Sequence, residues 1–232
     1  MKRYTLHDLS RSLLLAGAGT AALAALTFTT PTSAAAQVCI GSAAASGQNA
    51  LGGTYLRPHN GTGYGVHFQS NPAGPIGFGS EIHATDLDNV EERAITVGGH
   101  LAWELGSTNF SICPVVTPNF SWWDDQFGGV EFEANQLQVP AGLAVGRRLW
   151  LGDGSMALTP TAMAGAYYQR IRRSVSDTGD NLELADTASD TEFFGDLGAT
   201  LELGRVYLRG SVRLDTVDDR DAAFRLGAGV VF

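Results

Sequence analysis

The last nine residues of the chain read Phe224-Arg225-Leu226-Gly227-Ala228-Gly229-Val230-Val231-Phe232. From Ala222 onward, every second residue up to Phe232 is apolar, whereas the positions between them carry Arg225 and two glycines. This is the period of a β-strand, in which successive side chains point to opposite faces. The C-terminal stretch is therefore predicted to be a strand with one apolar face.

The same alternation recurs towards the N-terminus. It is clear in five further segments, which are 206–216, 192–203, 109–123, 94–105 and 75–87. It is looser in 61–71, 137–151 and 156–172, and weakest in 49–57, where the strand is inferred from the parity of up and down strands. The chain is therefore predicted to be all-β with ten antiparallel strands, and eight is the alternative count.

Three features favour strands whose apolar faces contact lipid. The segments reach ten or more residues, and a tilted strand needs about 9–11 to cross a bilayer. The less apolar faces are rich in Gly, Thr, Ser, Arg and Glu, which suits a polar lumen. Aromatic residues gather near segment ends, as in the girdles of membrane barrels; they are Tyr64, Trp103, Phe110, Trp122, Trp150, Tyr168, Phe193 and Phe232. We therefore expect an up-and-down transmembrane β-barrel, with a soluble β-sandwich or sealed barrel as the alternative.

The N-terminus has the pattern of a secretory signal peptide. Basic residues such as Lys2 and Arg3 precede an apolar stretch from Leu13 to Phe28, and Ala34-Ala35-Ala36 supplies small residues for cleavage. We expect a signal peptide at 1–36, a periplasmic segment at 37–48 and the barrel at 49–232; a membrane-anchor helix is the alternative for the apolar stretch. The net charge of -9 argues against nucleic-acid binding, because little basic charge is available for phosphates.

The connections between the segments alternate in length. Short turn-forming clusters lie at 71–74, 106–108, 152–154 and 204–205, and longer or charged connections lie at 58–60, 88–92, 124–135, 174–190 and 217–221. In bacterial barrels the short turns face the periplasm and the longer loops face outside. Parity then places both termini in the periplasm.

Together the signal peptide, the amphipathic strands and the final segment resemble small bacterial outer-membrane β-barrels of the OmpA-like transmembrane and opacity-type porin family. The resemblance implies a monomer in the outer membrane of a Gram-negative bacterium, in contact with its lipids and lipopolysaccharide. It also implies that the C-terminal strand is the signal read by the barrel assembly machinery during biogenesis. The residues that match this signal are Phe224, Leu226, Val230 and Phe232.

The two cysteines, Cys39 and Cys113, are expected to form a disulfide in the oxidising periplasm. By the strand parity, Cys113 faces the lumen near the periplasmic turns, and Cys39 lies in the N-terminal segment. A bridge between them would hold residues 37–48 in or across the mouth of the lumen. Two free thiols are the alternative.

Charged side chains on the polar faces are predicted to form a network in the lumen; they are Glu81, Glu104, Arg148, Asp196, Glu202, Arg209, Arg213, Asp215 and Arg225. In a narrow lumen such charges must pair or stay hydrated. They indicate either a salt-bridged filling of the barrel or a narrow path for solutes. The leading hypothesis is a surface or structural barrel with a largely plugged lumen, and the alternative is a narrow porin-like pore.

Three histidines, His67, His83 and His100, are predicted to face the lumen from consecutive strands, with Glu81 nearby. A barrel enzyme acting on lipid or peptide at the outer rim, using His83 and Asp86, is a second alternative. Because no nucleophile motif accompanies these residues, no catalytic residue, metal ligand or cofactor is assigned.

Overall fold

The computed structural model of the chain describes residues 38–58, 61–72, 74–88, 93–105, 110–127, 130–152, 154–177, 182–215 and 222–232. The predicted signal peptide lies outside these residues. No helix in this part of the chain is long and apolar enough to cross a membrane.

Twelve strand segments follow one short 3-10 helix at Val38–Ile40. They are β1 (Gln48–Arg57), β2 (Gly61–Asn71), β3 (Ile76–Leu87), β4 (Arg93–Trp103), β5 (Ser111–Val116), β6 (Asn119–Phe127), β7 (Val130–Gly146), β8 (Leu149–Leu151), β9 (Met156–Asp177), β10 (Leu182–Leu203), β11 (Val206–Asp215) and β12 (Ala223–Val231). All of their pairings are antiparallel.

The sheet closes into a barrel of ten strands, as the sequence predicted. The first and last strands pair with each other, from Ala50 opposite Val231 to Arg57 opposite Phe224. The remaining strands pair with their neighbours in sequence, β7 pairs with β9, and β5 and β6 each pair with both β4 and β7. The fold is therefore an antiparallel up-and-down barrel.

Two of the ten strands are each divided into two segments. Thr117 and Pro118 separate β5 from β6, but the register with β7 is unchanged across the break, since Val116 pairs with Ala141 and Asn119 with Gln138. Pro118 has no N–H to donate to the ladder at this point. In the same way β8 continues β7 along β9, after a break at residues 147–148.

The inside and outside of the barrel have the polarity expected of a membrane barrel. Large apolar side chains are exposed on the outer face, including Leu226 at 58% and Leu197 at 61%. On the inner face Thr200 is 0% exposed and Tyr207 is 1% exposed. A soluble sandwich would bury the apolar face instead, and that alternative is excluded.

The barrel has two different ends. The turn end carries the connections at 72–75, 104–110, 152–155 and 204–205, together with the start of β1 and the end of β12. The loop end carries the connections at 58–60, 88–92, 128–129, 178–181 and 216–222.

Two of the predicted long loops are wrong, because the strands continue through most of them. Residues 124–135 belong largely to the paired ends of β6 and β7, and residues 174–190 to those of β9 and β10. β10 pairs with β9 from Leu182 to Leu203, whereas its pairing with β11 begins only at Phe194. Backbone pairing sustains these strands where the side chains no longer alternate, so the alternation could not predict them.

Candidate functional site

An N-terminal segment, residues 38–47, occupies the lumen at the turn end; we call it the plug. Val38, Cys39, Ser42, Ala43 and Ala44 are buried although most of the plug has no strand or helix of its own. Ala43 and Ala44 pack with Ala50, Val231 and the ring of Tyr207, which faces inward. Because the lumen of a narrow barrel is largely filled by the side chains of its own strands, only small side chains of the plug fit inside it.

The predicted disulfide between Cys39 and Cys113 is confirmed. The two Cα atoms lie 6.0 Å apart, and the bridge joins positions separated by 74 residues. Both cysteines are buried with Ala102, Val115 and Ala144. The bridge therefore fastens the plug to the inner wall of the barrel at β5.

Hydrogen bonds hold the rest of the plug. The Thr200 hydroxyl donates to the carbonyl oxygen of Gly41 at 2.8 Å, and the Asn71 side-chain amide donates to that of Ala44 at 3.1 Å. The amide of Gly47 donates to the carbonyl oxygen of Asn71 at 2.6 Å. These contacts come from β10 and β2, so the plug is attached on several sides of the lumen.

Glycine in the wall makes room for the plug. A Cβ atom added at Gly146 would lie 2.2 Å from the carbonyl oxygen of Val38, which is closer than such atoms approach in proteins. Any larger residue at this position would displace the backbone of the plug. The strand sequence and the plug are thus fitted to each other.

The predicted lumen charges divide into separate groups rather than one network. In the middle of the barrel, the Arg225 guanidinium donates to both carboxylate oxygens of Glu81, at 3.1 and 3.4 Å. The Nε2 atom of His83 lies 3.2 Å from the same carboxylate. This group joins β12 to β3 across the lumen.

A second group lies nearer the loop end. Arg213 donates from Nε to Asp215 at 3.0 Å, and its guanidinium carbon lies 4.4 Å from the ring centre of Phe194 and 4.9 Å from that of Tyr167. Arginine is attracted to aromatic faces at such distances. The phenol of Tyr167 donates to Glu192.

A third set of charges lies at the turn end. Arg148 donates to Glu202 and lies 4.7 Å from the ring centre of Trp150. Both Arg148 and Glu202 belong to the predicted lumen charges, and the structure pairs them with each other. The hydroxyl of Ser111 donates to Glu104, just beyond β4; burial raises the pKa of Glu104 and this hydrogen bond opposes the rise.

Arg209 and Asp196 are the two predicted lumen charges that form no ion pair at 4.0 Å or less within the part of the chain that the structure describes. The Asp196 carboxylate instead has the hydroxyl of Ser211 as a hydrogen-bond partner. The charged groups that act most strongly on Arg209 are Arg225, Asp196 and Glu81.

The three histidines line the lumen, and each lies opposite a glycine of the preceding strand. The pairs are Gly52 with His67, Gly65 with His83, and Gly79 with His100. A Cβ atom at any of these glycines would come within 2.2 to 2.8 Å of the imidazole ring. The sequence analysis did not predict that each histidine lies opposite a glycine. The glycines on the predicted polar faces could have indicated it.

Among the histidines, His67 has hydrogen-bond partners on both ring nitrogens. Its Nδ1 lies 2.8 Å from the Thr54 hydroxyl, and its Nε2 lies 2.5 Å from the Tyr207 hydroxyl. The structure does not bring His83 and Asp86 together, because His83 lies beside Glu81 whereas Asp86 accepts from Arg93 at 2.6 Å. The described residues contain no group of three or more His, Cys, Asp or Glu arranged to hold a metal ion.

The lumen contains a cavity of about 380 Å³ between these groups. Cys39 and Ile40 of the plug form part of its wall, together with residues from strands all around the barrel.

The residues predicted to form the assembly signal are all exposed on the outer face of the barrel; they are Phe224, Leu226, Val230 and Phe232. Their role in biogenesis stays a prediction.

No protein-family model and no curated protein sequence matches the chain. Similar solved structures include Ail, the attachment invasion locus protein of Yersinia pestis, with 10% identity, a TM-score of 0.38, and coverage of 80% of this chain and 95% of that one. The KdgM porin has 9% identity and a TM-score of 0.38 over 79% of this chain and 99% of its own. The translocator domain of the autotransporter NalP from Neisseria meningitidis has 11% identity and a TM-score of 0.45 over 80% and 86%.

These neighbours are outer-membrane β-barrel proteins, but likeness at this level assigns neither a function nor a substrate to the chain. The location follows from the structure itself. A closed antiparallel barrel with an exposed apolar exterior and a polar interior is the form in which bacterial outer-membrane proteins cross the bilayer. The protein is therefore a bacterial outer-membrane β-barrel.

Proposed function

We propose that the protein is a non-conducting surface barrel of the outer membrane, whose lumen is closed at the turn end by the plug. The observation that carries this proposal is the position of residues 38–47 inside the barrel, fastened by the Cys39–Cys113 disulfide. Because a ten-stranded barrel has a lumen only slightly wider than its side chains, a short segment suffices to close it.

Side chains that project into the lumen support the same function. The Arg225–Glu81 pair links β12 to β3, and Arg213 packs on the rings of Phe194 and Tyr167 on the two neighbouring strands. These side chains narrow the lumen above the plug at two further levels. A wide diffusion channel would instead keep its interior charges hydrated and apart.

The orientation in the membrane is part of the proposal. Short connections gather at the turn end, which we place in the periplasm together with both termini. The exposed apolar belt then contacts the acyl chains of outer-membrane lipids, and the loop end meets lipopolysaccharide. Closure of the sheet leaves β1 and β12 paired with each other, which favours a monomer.

A narrow porin-like pore is the second candidate, and the lumen cavity is the observation that favours it. The cavity reaches from the plug at Cys39 towards Pro58 and Ala223 beside the loop-end connections. Release of the plug would extend this space through the turn end.

The separation of His83 from Asp86 supports the view that the protein is not an enzyme of the outer rim.

Conductance of the purified, refolded protein in planar bilayers tests the proposal. We expect no steady conductance from the oxidised protein, and channel openings from a variant that lacks residues 40–46. Cys39→Ser is the intermediate case, since it removes the tether but keeps the hydrogen bonds of the plug. Gly53→Ala, a change on the outer face, is the control and should behave like the unchanged protein. Steady conductance of the oxidised protein would exclude a closed barrel and favour the pore.

A further inference from the structure

The outer face of β9 changes from apolar to basic along the strand. From Met156 to Tyr168 its outward-facing positions are all apolar, and Tyr168 is 44% exposed. Arg170 and Arg172 follow on the same face, because they continue the alternation from Tyr168, whereas Tyr167 faces the lumen and is 1% exposed. Both arginines are exposed. A pair of positive charges therefore lies directly beyond the apolar belt of the barrel.

The two arginines lie at the level of the lipid headgroups. On β10 the exposed apolar positions run from Leu203 to Phe193, which is the length that a tilted strand needs to cross a bilayer, about 9–11 residues. Arg170 pairs with Ser189, beyond Phe193 on the side of the loop end. Long arginine side chains can extend along apolar surface and keep their charge at the membrane interface. The guanidinium groups are therefore placed where the hydrocarbon core ends.

The neighbouring strands add polar groups beside the arginines but no charge. Leu137 and Ser189 flank Arg170, so it stands between an apolar side chain and a hydroxyl. Asn135 and Thr187 flank Arg172 and supply an amide and a second hydroxyl. All of these side chains are exposed on the outer face. They surround the arginines with hydrogen-bond donors.

The arginine pair is not neutralised within the protein. Among the described residues, neither Arg170 nor Arg172 has an ion pair at 4.0 Å or less. Arg93, which is also exposed near the loop end, differs because it donates to Asp86 at 2.6 Å. The β9 pair thus differs from the charges at another part of the rim.

The acidic side chains nearby are turned away or lie further out. Glu192 is on the lumen face of β10, where it accepts from the phenol of Tyr167. On the outer face of β7, Glu133 lies opposite Ser174, beyond Arg172, and the Ser174 hydroxyl donates to it at 3.5 Å. The outer surface between Tyr168 and Ser174 is therefore basic and open to an anion.

This surface requires a ligand with an anionic head joined to an apolar body. Arginines on alternate residues have Cα atoms roughly 7 Å apart, twice the rise of a strand, so both guanidinium groups can reach one phosphate. A phosphate monoester carries close to two negative charges at neutral pH, and the diester of a phospholipid carries only one. We propose that Arg170 and Arg172 bind a phosphate monoester of lipid A, the membrane anchor of lipopolysaccharide, whose acyl chains lie along the apolar belt below Tyr168. The inference rests on the orientation proposed above, in which the loop end faces outside.

Native mass spectrometry of the refolded full-length chain in maltoside micelles tests this inference. The probes are lipid A with its phosphate monoesters, lipid A from which the phosphates have been removed, and phosphatidylglycerol, an anionic phosphodiester. We expect the phosphorylated lipid A to bind at least about tenfold more tightly than either of the other two, because only its phosphate offers a double charge to both guanidinium groups.

Neighbouring arginines supply the matched control. Arg170→Gln/Arg172→Gln should weaken the binding of phosphorylated lipid A at least about tenfold and leave the binding of the dephosphorylated form unchanged. Arg172→Gln alone should weaken it severalfold. Arg173→Gln removes the same charge from the next residue, but this side chain lies on the opposite face of β9, so the binding should not change. Because all of these side chains are exposed, each variant should fold like the unchanged protein.

Three results would overturn the inference. They are equal binding of the two forms of lipid A, equally tight binding of phosphatidylglycerol, and a loss of binding in Arg173→Gln as large as that in Arg172→Gln. Other measurements report on the proposed function. Steady conductance would overturn the closed barrel, and an epitope inserted at 178–181 that antibodies do not reach on intact cells would overturn the orientation. A closed barrel with this epitope outside, but without the preference for phosphorylated lipid A, loses only the site.

Discussion

The two halves of β10 follow different rules of burial. In its turn-end half, Thr200 is 0% exposed whereas Leu197 is 61% exposed, so the strand has a buried polar face and an exposed apolar face. In its loop-end half, residues 184–191 are exposed on both faces. The difference shows that alternation is imposed by the surroundings: lipid on one side and a filled lumen on the other require it, and water on both sides does not.

Within the barrel, the disulfide is the contact whose loss we expect to cost most. Cys39→Ser/Cys113→Ser should lower the free energy of unfolding by about 4 kcal/mol, because the bridge closes a loop of 74 residues in the unfolded chain. Urea unfolding in micelles, followed by tryptophan fluorescence, measures the change. Added dithiol should give the same loss in the unchanged protein and none in the variant. Equal midpoints for both proteins would show that the disulfide does not stabilise the fold.

The halves of β10 can be compared directly by placing a charge on each. Leu197→Arg should destabilise the protein in lipid vesicles by roughly 2–4 kcal/mol, the cost of a basic residue on the lipid face near mid-membrane. Leu184→Arg is the control, since Leu184 has a similar exposure of 59% but lies beyond the pairing with β11. It should change the stability by less than about 0.5 kcal/mol. Similar costs at both sites would place Leu184 in the membrane as well.

The two faces of β1 allow the same comparison at neighbouring positions. Gly52→Ala should destabilise by about 1–3 kcal/mol, because its Cβ would lie 2.5 Å from the hydroxyl of Tyr207 and 2.8 Å from the ring of His67. Gly53→Ala should have little effect, as the only contact within 4 Å is a carbonyl oxygen at 3.9 Å. Urea unfolding in micelles measures the loss of unfolding free energy in each variant. A larger loss for Gly53→Ala would mean that the faces are assigned the wrong way round.

The smallest effect concerns Glu104 at the turn end. Burial raises its pKa in the folded state, so the folded protein holds the proton more tightly than the unfolded chain. Its stability should therefore fall as the pH rises through the ordinary carboxyl pKa of about 4.5 towards the raised value. Glu104→Gln removes this dependence and should gain stability relative to the unchanged protein as the pH rises above about 4.5.

Ser111→Ala sharpens the test of Glu104. The variant loses the hydroxyl that donates to the carboxylate, so the fall in stability with rising pH should be steeper than in the unchanged protein. Unfolding midpoints at several pH values give the comparison. A Glu104→Gln variant whose difference from the unchanged protein is constant with pH would contradict the raised pKa.

The amino-acid sequence predicted the regions in which apolar and polar side chains alternate, because the two faces of the strand have different surroundings. The ten strands, the polar lumen and the disulfide were predicted because lipid accepts apolar side chains and an exported pair of cysteines oxidises. The loop-end extensions of β9 and β10 were missed, because Asp, Ser and Thr on both faces resemble a loop. Backbone pairing with the neighbouring strand holds such residues in a sheet without any side-chain signal.

The partners of the lumen charges could not be predicted either. The pairing of Glu202 with Arg148, and of Arg225 with Glu81, depends on how the strands are staggered around the barrel. A one-residue change in register reverses the face of every side chain, and the stagger decides which levels meet across the lumen. Sequence alone therefore determined which residues face inward, since strand period is a local property. Only the closed tertiary structure decided which of them touch and which, like Arg209 and Asp196, are held apart.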